Sequence, residues 1–90
     1  VRFTYDPTKG QKLKRERGRD FEEIQEIFFG PHYFDHRNDD PEQWRAVGWS
    51  KSQLYAVIYE DREDEQGSHR HLVTLWKATT EEEKLYDENG

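Results

Sequence analysis

The sequence predicts an α+β fold, with an antiparallel sheet of three to four strands and about three helices packed on one face, in the order β-α-α-β-β-β-α. Three observations carry this expectation. Five Phe, five Tyr and three Trp recur at strand or helix spacing, which argues for a folded core although only 31% of residues are apolar and 38% are charged. Aromatic and β-branched runs fall close together between residues 43 and 78, whereas the helical spacings and caps lie before and after them. A second core would need about 50 residues of its own, so residues 1–90 read as one domain.

Taken in order, Val1, Phe3 and Tyr5 alternate with Arg2 and Thr4, the pattern of an edge strand. Asp6-Pro7 supplies an N-cap and a first-turn proline, and Gly18 a stop, for a helix near 7–17 whose sole large apolar group is Leu13. Asp20 and Glu23 have the spacing of a capping box. Phe21, Ile24, Ile27 and Phe28 follow at helical spacing up to Gly30-Pro31. A short strand is expected at 32–35 and a polar loop at 35–42. Residues 43–49 and 53–59 form a hairpin through Ser50-Lys51-Ser52, the acidic stretch 60–66 closed by Gly67 is a loop, and 68–78 is the last strand. Thr79 and Glu82 can cap a final helix to about Asp87, with Leu85 and Tyr86 as its packing groups.

Composition excludes several classes. Without cysteine there is no disulfide, thiolate nucleophile or thiolate zinc site, and the chain suits a reducing cytosol. No run approaches a membrane span or a signal peptide. A start at Val1 with no Met is expected of a trimmed N-terminus. The net charge of −6 disfavours a generic nucleic-acid binder, yet residues 1–19 carry Arg2, Lys9, Lys12, Lys14, Arg15, Arg17 and Arg19 against Asp6 and Glu16.

The string Phe3-Thr-Tyr-Asp-Pro-Thr-Lys9 resembles the F-x-W/Y-D-P-x-K opening of the BrnT-type toxins, and Gly18-Arg-Asp-Phe-Glu-Glu23 their G-V-S-F-E-E segment. Glu42-Gln-Trp-Arg-Ala-Val-Gly48 is similar to their E-R-x-x-x-I-G strand, and Val73-Thr-Leu-Trp-Lys-Ala-Thr79 to their I-S-A-R-K/R-A-T signature. The matches keep their order over nearly the whole chain. The resemblance implies a RelE-like fold and a bacterial, cytoplasmic endoribonuclease that cuts mRNA and arrests growth. It also implies neutralisation by a small antitoxin that binds DNA. Four positions depart from the pattern: Trp76 replaces an Arg, Arg17 stands near the family's His, and Glu81-Glu82 replace basic residues. Each departure removes positive charge or a proton carrier. They favour a rival reading in which the chain is inactive and acts as a protein-binding module, on an antitoxin or on a second copy of itself.

RNA cleavage without a metal or other cofactor needs a base for the 2′-hydroxyl proton, an acid for the leaving 5′ oxygen, and cations for the charge on phosphorus. Lys77, at a strand end beside the helix-starting Thr79, is the first choice for phosphate, against a plain solvated lysine. His69 and His71 alternate along one strand and share a face; they and Tyr86 are the candidate proton carriers. Strict alternation puts Arg70 on the other face with Thr74 and Trp76. Lys9, Lys12 and Arg17 are candidate backbone contacts, or a dock for an acidic antitoxin segment. Arg45, Arg70 and Trp76 are further RNA contacts, although core packing is the stronger expectation for Trp44 and at least one other tryptophan. His32, His36, His69 and His71 are a remote possibility for zinc, because four neutral ligands without a carboxylate are unusual.

Overall fold

Five strands build the sheet, one or two more than expected, because Arg2–Thr4 and His32–Asp39 both join it as edge strands. The computed structural model describes residues 2–89; Val1, expected in the first strand, lies outside them. The elements are β1 (Arg2–Thr4), α1 (Pro7–Arg17), a 3-10 helix (Glu23–Phe29), β2 (His32–Asp39), β3 (Glu42–Ser50), β4 (Gln53–Asp64), β5 (Gly67–Lys77) and α2 (Thr80–Asn89). The strand order is β1-β5-β4-β3-β2, with β1 parallel to β5 and the other neighbours antiparallel, so the sheet is mixed rather than purely antiparallel. No helix among the described residues is long and apolar enough to cross a membrane.

Local signals in the sequence account for the helix ends. Asp6 accepts from the amides of Thr8 and Lys9, and Gly18, at φ 88°, closes α1 by donating to the Lys14 carbonyl. Asp20 and Glu23 cap each other as their spacing predicts, with Glu23 N to Asp20 Oδ1 at 2.8 Å and Asp20 N to Glu23 Oε1 at 3.1 Å. The helix that follows is a 3-10 helix, whose three residues per turn stack Ile24 and Ile27 on one buried stripe, which Phe21 continues in the turn before it. Thr79 and Glu82 make the second capping box, and α2 runs two residues past its expected end.

The strands outrun their expected limits. Residues 35–39, expected as loop, extend β2, since pairing with β3 satisfies backbone groups whatever the side chains. The acidic stretch 60–64 likewise continues β4, paired with residues 67–71.

The front face of the sheet carries Ala46, Tyr55, Val57, Tyr59, Leu72 and Leu75, which pack on Leu13, Phe21, Ile24 and Ile27 from α1 and the 3-10 helix. Val47, Leu54, Ala56 and Ile58 alternate onto the back face. There α2 docks, through contacts of Glu82 with Arg45 and Trp76 and of Tyr86 with Trp49. The expectation of all helices on one face is therefore corrected. α2 lacks an apolar stripe strong enough to compete for the front, and its buried group is a carboxylate that seeks Arg45.

Candidate functional site

A β-bulge decides which candidate residues meet. Tyr59 pairs with Leu72 and Ile58 with Thr74, so Val73 is an extra residue in β5 and the alternation shifts there. Arg70, Leu72, Leu75 and Lys77 consequently face front, while His69, His71, Thr74 and Trp76 face back. The sequence expectation that Thr74 and Trp76 oppose the histidines is overturned. The signal was present in Leu72 and Leu75, both buried although three apart.

On the back face, His71 Nδ1 lies 2.8 Å from Thr4 Oγ1, and Nε2 has no hydrogen-bond partner among the described residues. Burial, followed by the Arg62 charge, holds the His71 pKa below the ordinary histidine value, and Lys9 pushes the same way. Glu60 is its cross-strand neighbour and is 8% exposed. This carboxylate accepts from Gln43 Nε2 at 2.8 Å and from Arg62 Nε at 2.9 Å, and Gln43 above all keeps its pKa below the usual range. His69 Nδ1 accepts from Arg2, which also reaches Asp64. Glu60, Gln43, Arg62 and Thr4 escaped sequence reasoning because strand pairing alone brings them to the histidines.

Towards α2 the same face carries an ionic network. Arg45 forks onto Asp35, with Nε to Oδ1 at 3.0 Å, and donates to Glu82 Oε2 at 3.3 Å. The Asp35 hydrogen bond raises the Arg45 pKa further, and likewise that of Tyr33, whose hydroxyl donates to Asp35. Trp76 Nε1 donates to Glu82 Oε1 at 2.9 Å, and the Arg37 guanidinium lies 5.2 Å from the Trp76 ring centre. Arg45 is thus brought to the back face with its charge largely matched. Tyr86 packs edge-on against Trp49 at 6.4 Å, near the β3–β4 turn and away from the histidines.

Lys9, Lys12 and Arg17 line a groove with Thr74, between α1 and the edge of β5. β1 pairs only as far as His71, so the edge carbonyl of Leu75 is open, and Arg17 Nη1 fills it at 2.7 Å while reaching Thr74 Oγ1 at 3.3 Å. Lys77 sits apart from this groove. It is exposed on the front face opposite Tyr55, whose hydroxyl donates to the Arg17 carbonyl and whose ring carries the Arg19 guanidinium. Arg70, also in front, covers the Tyr59 ring at 4.4 Å and pairs with Asp61. Trp44 packs against the core as expected. His32 and His36 stand on β2 at the front, so the four histidines do not converge, and no metal-holding cluster occurs among the described residues.

A search of curated proteins finds no match to this chain. One protein family does match, described as the ribonuclease toxin, BrnT, of type II toxin-antitoxin systems, and its match spans residues 5–82. That span takes in α1, the 3-10 helix, β2 to β5 and the Glu82 that anchors α2. The chain belongs to the BrnT family of type II toxin–antitoxin ribonuclease toxins.

Proposed function

We propose that the chain is a cytoplasmic endoribonuclease that cuts single-stranded mRNA without a metal, arrests growth, and is held inactive by a small DNA-binding antitoxin. The observation that carries the catalytic assignment is His71, its Nδ1 fixed by Thr4, its pKa depressed by burial and by the Arg62 charge, and its Nε2 without a partner among the described residues. Neutral His71 takes the 2′-hydroxyl proton, and the 2′ oxygen attacks phosphorus. The imidazolium so formed on His71 then returns that proton to the departing 5′ oxygen, and His69, whose Nδ1 accepts from Arg2, lines the same face about 6.6 Å away. The products are a 2′,3′-cyclic phosphate and a free 5′-hydroxyl. Lys9, Lys12 and Arg62 meet the phosphate charge, and Arg17 positions the groove. Lys77, on the opposite face, holds an outlying stretch of RNA backbone rather than the reacting phosphate.

Purified protein, His71→Asn and Lys77→Ala, each in EDTA, are mixed with a long single-stranded RNA. His71→Asn is expected to lower the rate by about 10²- to 10⁴-fold while staying folded, and Lys77→Ala to weaken RNA binding only a few-fold. Intact RNA in every lane, with folded protein, would leave the binding-module reading in place. One observation favours that reading: the cation Arg45 and the indole Trp76 are both committed to Glu82, inside the fold.

A further inference from the structure

Beyond α1 the front face carries an aromatic ribbon, built from the end of the 3-10 helix and from four strands. Phe29 stacks edge-on against Phe3 at 6.2 Å, Phe3 tilts against Phe28 at 5.5 Å, and Phe28 meets the Tyr59 ring at 5.2 Å and His32 at 5.6 Å. The ribbon continues through Phe34 to Trp44 at 6.3 Å. It therefore crosses the sheet from β1 to β2, and its two ends are bare: Phe29 is 76% and Phe34 58% exposed. Two bare rings joined through half-buried ones form an apolar band rather than scattered groups, as interaction surfaces do.

The charge around the ribbon selects the occupant. Exposed Glu26, one 3-10 turn before Phe29, borders that end, and Asp39 and Glu42 flank His36 at the Phe34 end, 3.5 and 3.7 Å from its Nε2. The one arginine over the ribbon, Arg70, is paired with Asp61. An RNA strand stacked here would bring its phosphates against a border of exposed carboxylates, which costs affinity. A polypeptide with apolar anchors flanked by lysines or arginines meets both features. We propose that this ribbon is where the antitoxin docks, through a basic segment whose apolar side chains cover Phe29 and Phe34. The proposal rests on the antitoxin partnership that family membership implies, and not on the assignment of His71.

The test uses the full chain and the antitoxin encoded with it, by calorimetric titration. Phe29→Ser with Phe34→Ser is expected to weaken antitoxin binding at least tenfold, to leave RNA cleavage unchanged, and to abolish its inhibition at matched concentrations. Both side chains are exposed, so folding is checked by the melting temperature. Glu26→Lys with Glu42→Lys, which leaves the rings in place, is expected to weaken binding in the same direction and to lose the salt dependence of affinity. Unchanged antitoxin affinity in both variants would overturn the proposal. So would lost RNA binding with antitoxin affinity intact, which would make the ribbon an RNA platform. A wild-type protein that binds antitoxin through the ribbon but cuts no RNA would sustain the docking site and defeat the ribonuclease reading.

Discussion

Glu82→Ala should unlatch α2 from the sheet. Glu82 is 3% exposed and accepts from Trp76 Nε1 at 2.9 Å, from the Thr79 amide at 2.9 Å and from Arg45 Nη1 at 3.3 Å. Alanine strands the indole and amide donors and removes one of the two carboxylates that balance a half-buried guanidinium. Each stranded donor costs about 1–3 kcal/mol, and Asp35 still pairs with Arg45, so the net loss is about 3 kcal/mol. For a domain of this size that lowers Tm by roughly 12–24 °C. Urea unfolding followed by tryptophan fluorescence measures it, and amide exchange shows whether α2 opens first. Glu82→Gln keeps an acceptor for Trp76 and Thr79 and loses only the charge, so about half the effect is expected. A destabilisation below about 1 kcal/mol for Glu82→Ala would refute the latch and mean that Leu85 and Tyr86 hold α2 by packing alone.

Glu23, which bridges Lys14 and Lys51, has its pKa lowered from 4.5 to about 2, first by the Lys14 hydrogen bond. Because the folded value lies below the unfolded one, its contribution is complete above pH 4.5 and fades as pH falls towards 2; Glu23→Gln should flatten the fall in urea midpoint between pH 5 and pH 3. A depressed His71 pKa places the acidic limb of the cleavage rate below the ordinary histidine value of about 6.5, and Thr4→Val, which removes the Nδ1 partner, should lower the rate and shift that limb; a pH profile reads both. A Cβ on Gly48 would lie 2.8 Å from Ile27 Cγ2 and 3.2 Å from His32 Cβ. Gly48→Ala should thus cost about 1–3 kcal/mol through overpacking, read as a lower Tm.

What the sequence displayed was local. The caps at Asp6, Gly18, Asp20 and Thr79 involve hydrogen bonds within a few residues, so residue type and spacing specify them. The hairpin through Lys51 and the shared face of His69 and His71 were legible for the same reason. What stayed hidden depends on partners far along the chain. β1 pairs with β5 across the whole sequence, β2 borrows its extension from β3, and α2 takes the back face because Arg45 waits there. The site divides in the same way. The two candidate histidines of β5 were visible, whereas Glu60, Gln43 and Thr4 come beside them only through strand register.

The overall charge of −6 argued against nucleic acid when averaged over the chain, but the fold does not average it. α2 places Glu81, Glu83, Asp87 and Glu88 over one end of the back face, and the ribbon's border places carboxylates in front. Lys9, Lys12 and Arg17 remain along the β5 edge, with Arg62 and Arg2 beyond the histidines. On the proposed reading an RNA strand is thereby confined. Carboxylates repel its phosphates from α2 and from the aromatic ribbon, and the cation-lined route from the α1 groove leads to His71. The bulge at Val73 completes this arrangement: it buries Leu72 and Leu75 in front while keeping His71 and Thr74 together behind, so one extra residue lets the same strand serve the core and the groove.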